Sequence, residues 1–140
     1  MLDYLFVYGT LRQAQDGSLH PDLKPAEFLS DAYVHGKLFL IADYPGIVLK
    51  NSDPQRRVRG EIYRLLNPAT TLQLLDEYEE CSDKFPPPHE YQRTTCIATL
   101  PDGSFIRTWI YAFQLATDLL TPIINGDFGA YLPASHNAFD

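Results

Sequence analysis

Two features of this 140-residue sequence have the makings of chemistry: a glutamate on the apolar side of a helix and a glycine turn at the end of a strand. The turn is Tyr8-Gly9-Thr10-Leu11-Arg12, directly after the apolar run Leu5-Phe6-Val7. A strand ending this way presents backbone N–H groups with no partner in the sheet, and such groups can hold a carboxylate or an oxyanion. Arg12 could neutralise a substrate carboxylate or stand in solvent. Gly9 could equally make only a tight turn, capped by Thr10, and the pair lacks the spacing of a phosphate-binding glycine loop.

The glutamate is Glu79. Placed on a wheel at about 100° per residue, Leu72, Leu74, Leu75 and Tyr78 define one apolar arc. Glu79 falls inside it, between Leu75 and Leu72. Gln73 and Glu77 point away, and Asp76 and Glu80 sit just outside its edge. A carboxylate aimed at the core is costly to bury. Desolvation and the negative end of the helix dipole both favour its protonated form. Such a group can accept and return a proton near neutral pH. The alternative is structural: a rim residue paired with Arg93 or Arg64. The helix pattern alone gives the two readings equal weight.

Tyr44, Tyr63, Tyr91 and Tyr111 could line a pocket, although aromatics in strands are commonly core or cross-strand partners, and Trp109 reads as core. Cys81 and Cys96 make neither a disulfide framework nor a four-ligand zinc site, and both are expected to be reduced thiols. His20, His35, His89 and His136 are scattered without ligand spacing, so no metal is expected.

The elements that must position these groups are mostly strands. Leu2 to Tyr8 reads as a central strand, apolar on both faces. A polar connection runs from Gln13 to Pro25. Tyr33 to Ile41 is a second strand, Tyr44-Pro45-Gly46 forces a turn, and Ile47 to Leu49 resumes extended chain. Ser52 to Arg57 links to a strand over Val58 to Leu65, with Gly60 marking a close approach. Asn67 and Pro68 open a helix running to about Glu80, with Asn67 as cap. Pro86-Pro87-Pro88 ends regular structure. Tyr91 to Leu100 and Phe105 to Phe113 form a hairpin around Pro101-Asp102-Gly103. Leu115 to Ile124 reads as a short helix broken by Pro122, followed by a turn at Gly126-Asp127-Phe128. The tail beyond Leu132 is expected to fray. Many strands with one firm helix predict an α+β domain, a small mixed barrel-like sheet with one main helix, over residues 1–140.

The formal net charge of −7, with Arg56, Arg57 and Arg59 as the one basic cluster, argues against a nucleic-acid partner. No segment approaches the ~20 apolar residues needed to cross a bilayer. The start of the chain does not read as a signal peptide, and the expected location is the cytoplasm.

Taken together, the motifs resemble a known family. Phe6-Val7-Tyr8-Gly9-Thr10-Leu11-Arg12 resembles the opening signature of the gamma-glutamylcyclotransferase-like (AIG2-like) family. The likeness continues through Tyr44-Pro45-Gly46-Ile47-Val48, Val58-Arg59-Gly60-Glu61-Ile62-Tyr63, Leu75-Asp76-Glu77-Tyr78-Glu79, Tyr91-Gln92-Arg93 and Trp109-Ile110-Tyr111, in the family's order. Tyr78-Glu79-Glu80-Cys81 looks most like the gamma-glutamylamine cyclotransferase branch. The Gly126-Asp127-Phe128 ending looks more like bacterial and other small members, with Phe128 where a tryptophan is common.

The resemblance implies a barrel-like fold and an enzyme that releases 5-oxoproline from a gamma-glutamyl compound, with neither metal nor organic cofactor. It places the catalytic glutamate on Glu79 and the substrate loop on Tyr8, Gly9, Thr10 and Leu11. Arg12, Tyr44, Pro45, Gly46, Tyr91 and Tyr111 are the further substrate-binding candidates. The expected partner is a small gamma-glutamyl substrate, with no membrane; monomer and weak homodimer both stay open. The connection from Ser82 to Glu90 is longer than in compact members and follows the proposed acid, a place from which to shape the leaving-group side. A lysine side chain, a simple amine and an amino acid are all candidate leaving groups, and glutathione is less favoured. The rival readings are a non-catalytic small-molecule binding domain on the same scaffold, a related cyclase or amidohydrolase, and an interaction domain.

Overall fold

Leu5, Phe6 and Val7 are 0%, 1% and 4% exposed, because the first strand has a neighbour on each edge and packed side chains on each face. This strand, β1 (Tyr4–Val7), belongs to a computed structural model that describes residues 2–9, 25–49 and 55–128. The expectations for Thr10, Leu11, Arg12, the polar connection to Lys24 and the tail after Leu132 lie outside the described residues.

The main sheet is a closed barrel of β1, β2 (Ala26–His35), β5 (Arg57–Leu65), β6 (Tyr91–Thr99) and β7 (Phe105–Phe113), in the order β1-β5-β2-β6-β7. β1 runs antiparallel to β5 and parallel to β7, where Leu5 faces Trp109. The predicted α+β barrel-like fold is therefore what forms. A second, three-stranded sheet holds β3 (Lys37–Leu40) between β4 (Pro45–Val48) and β8 (Thr121–Ile123).

The expected strand over Tyr33 to Ile41 is two strands in two sheets. The chain leaves β2 at His35 and enters β3 after Gly36, while burial alternates without interruption through Ala32, Val34, Gly36 and Leu38, which is why the pattern reads as one strand. The expected turn at Tyr44-Pro45-Gly46 comes earlier, with Ile41 N–H bonded to Tyr44 C=O, so Pro45 and Gly46 already lie in β4. The expected helix over Leu115 to Ile124 is absent. Pro122 lacks the donor a helix interior needs, but it is tolerated on β8, an edge strand opposite Phe39.

Gly60 lies where two strands come close: a Cβ there would stand 2.3 Å from the Val7 carbonyl oxygen and 2.5 Å from Phe6 Cζ. Any side chain would wedge β5 off β1.

The helix, α1 (Pro68–Tyr78), packs on the outside of the barrel through Thr71, Leu72 and Leu75, against a cluster with Leu5, Val7, Tyr63, Tyr91, Tyr111 and Phe113. Phe6 and Tyr8, the alternate residues, join the other cluster with Val58, Ile62 and Ile110. The buried stripe of α1 is narrower than the wheel predicts, with Leu74 and Tyr78 being 48% and 41% exposed. Pro68 occupies the first turn as expected. Asn67 caps only with its backbone, its carbonyl accepting Thr71 N–H at 3.0 Å while its side chain makes no capping bond.

Candidate active site

The helix stops two residues before the predicted Glu80, and its stop places Glu79. The Cys81 N–H reaches back to the Asp76 carbonyl at 2.9 Å, and the Glu80 N–H to that of Glu77 at 3.1 Å. These are the paired bonds of a Schellman motif, with Glu79 as C-cap. The residue after the cap must be left-handed in that motif, and Glu80 has φ 57. Glycine is the usual occupant there because it has no Cβ to clash.

Glu79 thus leaves the helix pointing into a cavity of about 560 Å³. The cavity is walled by Phe6 to Gly9 from the end of β1, by Asp43 and Tyr44 ahead of β4 with Pro45 at its start, and by Tyr78, Glu79 and Glu80 at the helix end. Phe85, Pro86, Pro88, His89 and Glu90 close a further side, with Tyr91 and Tyr111 behind. Burial pushes the Glu79 carboxyl up to about 7. Burial therefore yields a carboxyl suited to take up and give back a proton near neutrality. Arg93 and Arg64 do not pair with it: Arg93 binds Asp76, and Arg64 reaches Asp3 and Glu27, each at 3.6 Å.

The hydroxyls of Tyr8, Tyr44, Tyr91 and Tyr111 around the cavity are engaged. Tyr8 donates to the Tyr111 carbonyl at 2.6 Å and accepts the Ile47 N–H at 3.2 Å. Tyr91 donates to the Pro45 carbonyl, and Tyr44 to Glu90 Oε1 at 2.7 Å. Tyr111 donates to Asp76 Oδ1 at 2.6 Å. Burial raises the proton affinity of Tyr8, Tyr91 and Tyr111 well above that of free tyrosine, so none is a proton donor near pH 7. Their hydroxyls join elements: β1 to β7 and β4, β6 to β4, and β7 to α1.

Gly9 closes the cavity at the end of β1, where an added Cβ would come within 2.8 Å of Pro45 Cγ. Gly46 does not line the cavity. It packs under Phe113, whose Cβ would be 2.8 Å from a side chain there. Tyr63 is also outside, buried with its hydroxyl on Glu61 Oε1 at 2.9 Å. Thr10, Leu11 and Arg12, the remaining substrate-loop candidates, lie outside the described residues. Trp109 is only partly buried, with the Arg93 guanidinium 4.6 Å over its ring.

Sequence reasoning passed over Asp43 and the role of Asp76. Nothing in the local pattern marks Asp43. Asp76 carries a signal, since a carboxylate one turn before the end of a helix gains nothing from the helix dipole and calls for a cationic partner. The proline-rich connection does bound the cavity, held by His89 Nε2–H on the Phe85 carbonyl at 2.9 Å.

Comparison with known proteins agrees with this architecture. The gamma-glutamyl cyclotransferase, AIG2-like family model matches residues 5–130. YkqA from Bacillus subtilis is similar in fold, at TM-score 0.71 and 24% identity over 98% of this chain; the chain spans 43% of that protein. An AIG2-like protein from Mus musculus matches at TM-score 0.65 and 23% identity, over 86% of this chain and 85% of its own. YtfP from Escherichia coli is 31% identical, with TM-score 0.57, over 89% of this chain and 94% of its own. None of the curated proteins matches.

Proposed function

The chain belongs to the gamma-glutamyl cyclotransferase, AIG2-like family, and from that membership we propose that it releases 5-oxoproline from a gamma-glutamyl amine or gamma-glutamyl amino acid, with Glu79 as general acid and base. The observation that carries this reading is a single cavity joining the end of β1 to a half-buried glutamate whose proton affinity is raised to about 7.

The reaction is intramolecular. The Glu79 carboxylate takes a proton from the substrate's α-ammonium. The freed amine attacks the γ-carbonyl and closes a five-membered ring. Glu79 returns the proton to the departing nitrogen as the γ C–N bond breaks, then takes the ring nitrogen's second proton and passes it to the released amine, which leaves as an ammonium while the lactam keeps one N–H. The products are 5-oxoproline and the released ammonium, and the acid ends as it began. Because nucleophile and electrophile are one molecule, the main task of the site is to hold a folded-back conformer. On the reading of the sequence, backbone N–H groups from Gly9 to Leu11 would take the glutamyl carboxylate or the developing oxyanion. Pro45, Tyr44 and Tyr91 supply the wall against which the glutamyl chain bends.

The test is 5-oxoproline release from a panel of gamma-glutamyl amines and amino acids, by wild type and by Glu79→Gln. The reading expects turnover by wild type and a loss of at least roughly 10²-fold in the variant, the usual scale for a general acid–base group. Full turnover by Glu79→Gln would remove Glu79 from the mechanism, and Glu61, Asp76 and Glu80 would be examined next. A protein that binds these compounds without product would be the non-catalytic binding domain.

A further inference from the structure

Arg93 and Tyr111 are direct cross-strand partners in the β6–β7 hairpin, so their side chains leave the sheet on one face, side by side. Both end on the same carboxylate. Arg93 Nε donates to Asp76 Oδ1 at 2.9 Å and its terminal nitrogen to Oδ2 at 3.2 Å, while the Tyr111 hydroxyl donates to Oδ1 at 2.6 Å. The Asp76 main chain is committed too, its carbonyl accepting the Cys81 N–H that completes the helix stop.

We propose that Asp76, gripped by Arg93 and Tyr111, is a positioning residue that fixes the Glu79 carboxyl relative to the end of β1. This rests on the cyclotransferase reading for its catalytic consequence, and on the bonding pattern alone for its geometry. Three observations carry it. Asp76 is the residue whose carbonyl receives the wider-spanning bond of the Schellman motif, from the Cys81 N–H five residues on, so anchoring its side chain anchors the turn that aims Glu79. The bidentate fork is itself set, because the Arg93 guanidinium lies over Trp109, whose indole N–H is tied to the Leu2 carbonyl at 2.7 Å. Tyr111 also links the two sides of the cavity: its hydroxyl holds the helix end, and its carbonyl accepts the hydroxyl of Tyr8 at the end of β1. The acid and the glycine turn are therefore registered against one residue of one strand.

Tyr111→Phe keeps the ring and the carbonyl but releases Asp76. Arg93→Lys keeps the charge but loses the fork. In either variant the last helical turn loosens and Glu79 gains access to water. The titratable groups around Glu79 are Tyr8 from the end of β1, Asp43 and Tyr44 ahead of β4, Tyr78, Glu80 and Cys81 at the helix end, His89 and Glu90 of the proline-rich connection, Tyr91 of β6 and Tyr111 of β7; of these only Tyr111 is replaced in either variant, and Arg93→Lys keeps the positive charge near Cys81.

The experiment follows the Glu79 carboxyl by carbon NMR as pH is varied, assigned by its loss in Glu79→Gln, beside kcat and KM for 5-oxoproline release. The expected result is a titration midpoint lowered by about half a unit or more in both variants, as desolvation is relieved. A fall in kcat of roughly tenfold or more, with KM changed far less, is expected where misplacement of a reacting group is the fault. Combining either variant with Glu79→Gln should then lose no further activity. A midpoint unmoved in both variants overturns the clamp whatever the activity does. A midpoint that moves in a protein releasing no 5-oxoproline supports the clamp and removes the cyclotransferase reading instead. Should Tyr111→Phe fail to fold, Arg93→Lys carries the same two outcomes.

Discussion

The Tyr8 hydroxyl is bonded on both sides, giving its proton to the Tyr111 carbonyl at 2.6 Å and receiving the Ile47 N–H at 3.2 Å. All three residues are buried. Tyr8→Phe would leave a buried carbonyl and a buried N–H without that partner. Each such orphan costs about 1–3 kcal/mol, so the variant should lose roughly 2–6 kcal/mol in a denaturant titration. Its activity should fall without any change in the pH profile, because Tyr8 stays protonated across the working range.

The raised proton affinity of Glu79 predicts a stability penalty at alkaline pH. The carboxyl moves from an ordinary 4.5 to about 7 on folding. Between those values the folded state holds more protons than the unfolded one, so stability falls as pH rises. The contribution is complete below pH 4.5, is lost as pH passes about 7, and amounts to about 3 kcal/mol. Glu79→Gln should therefore gain stability over wild type at pH 8 and lose that gain at pH 4. Paired denaturation curves at the two pH values check this. A difference between the proteins that does not vary with pH would mean that the carboxyl is ordinary.

Glu80 pays a conformational cost to aim its neighbour. At φ 57 it sits in the left-handed region, which costs a residue with a Cβ roughly 1–2 kcal/mol. Glycine avoids this but gives up some unfolded-state restriction, worth about 0.4–1 kcal/mol. Glu80→Gly should raise stability by about 0.5–1 kcal/mol, and Glu80→Ala should not. Thermal unfolding of the two variants distinguishes backbone geometry from the loss of the charge, which is common to both.

Much of the barrel was legible because its strands carry their own signals. β1 shows apolar residues on both faces, β5 carries a glycine at the point of closest approach, and Pro101-Asp102-Gly103 marks the β6–β7 turn. The break at Gly36 was not legible, since β2 and β3 join two sheets through one residue and only tertiary packing separates them. β8 was hidden for the opposite reason: its three residues acquire strand geometry only from pairing with β3. The wheel pointed at Glu79 with Leu74 and Tyr78 counted as core, and both are exposed. Glu79 faces inward because of how the helix ends, which helical periodicity does not describe. The grip on Asp76 comes from a hairpin partner pair far along the chain, beyond the reach of local pattern.

The sign of charge around the cavity makes a prediction about the leaving group. Asp43, Glu80 and Glu90 share its lining with Glu79, and no lysine or arginine is among the described lining residues. Their field converges on Tyr44, whose hydroxyl burial and these carboxylates push up to about 12. Two unit charges 4 Å apart near a protein surface interact by about 4 kcal/mol before solvent screening, and the mouth here is open enough to reduce that severalfold. On the cyclotransferase reading, a leaving amine with a second ammonium should be favoured over one with a free carboxylate by roughly tenfold in kcat/KM at low ionic strength. The preference should shrink as salt is added. Glu90→Gln should lessen it further, since it removes one of the three charges nearest Tyr44 and keeps an acceptor for that hydroxyl. A preference that is indifferent to both salt and Glu90→Gln would assign selectivity to the shape of the pocket.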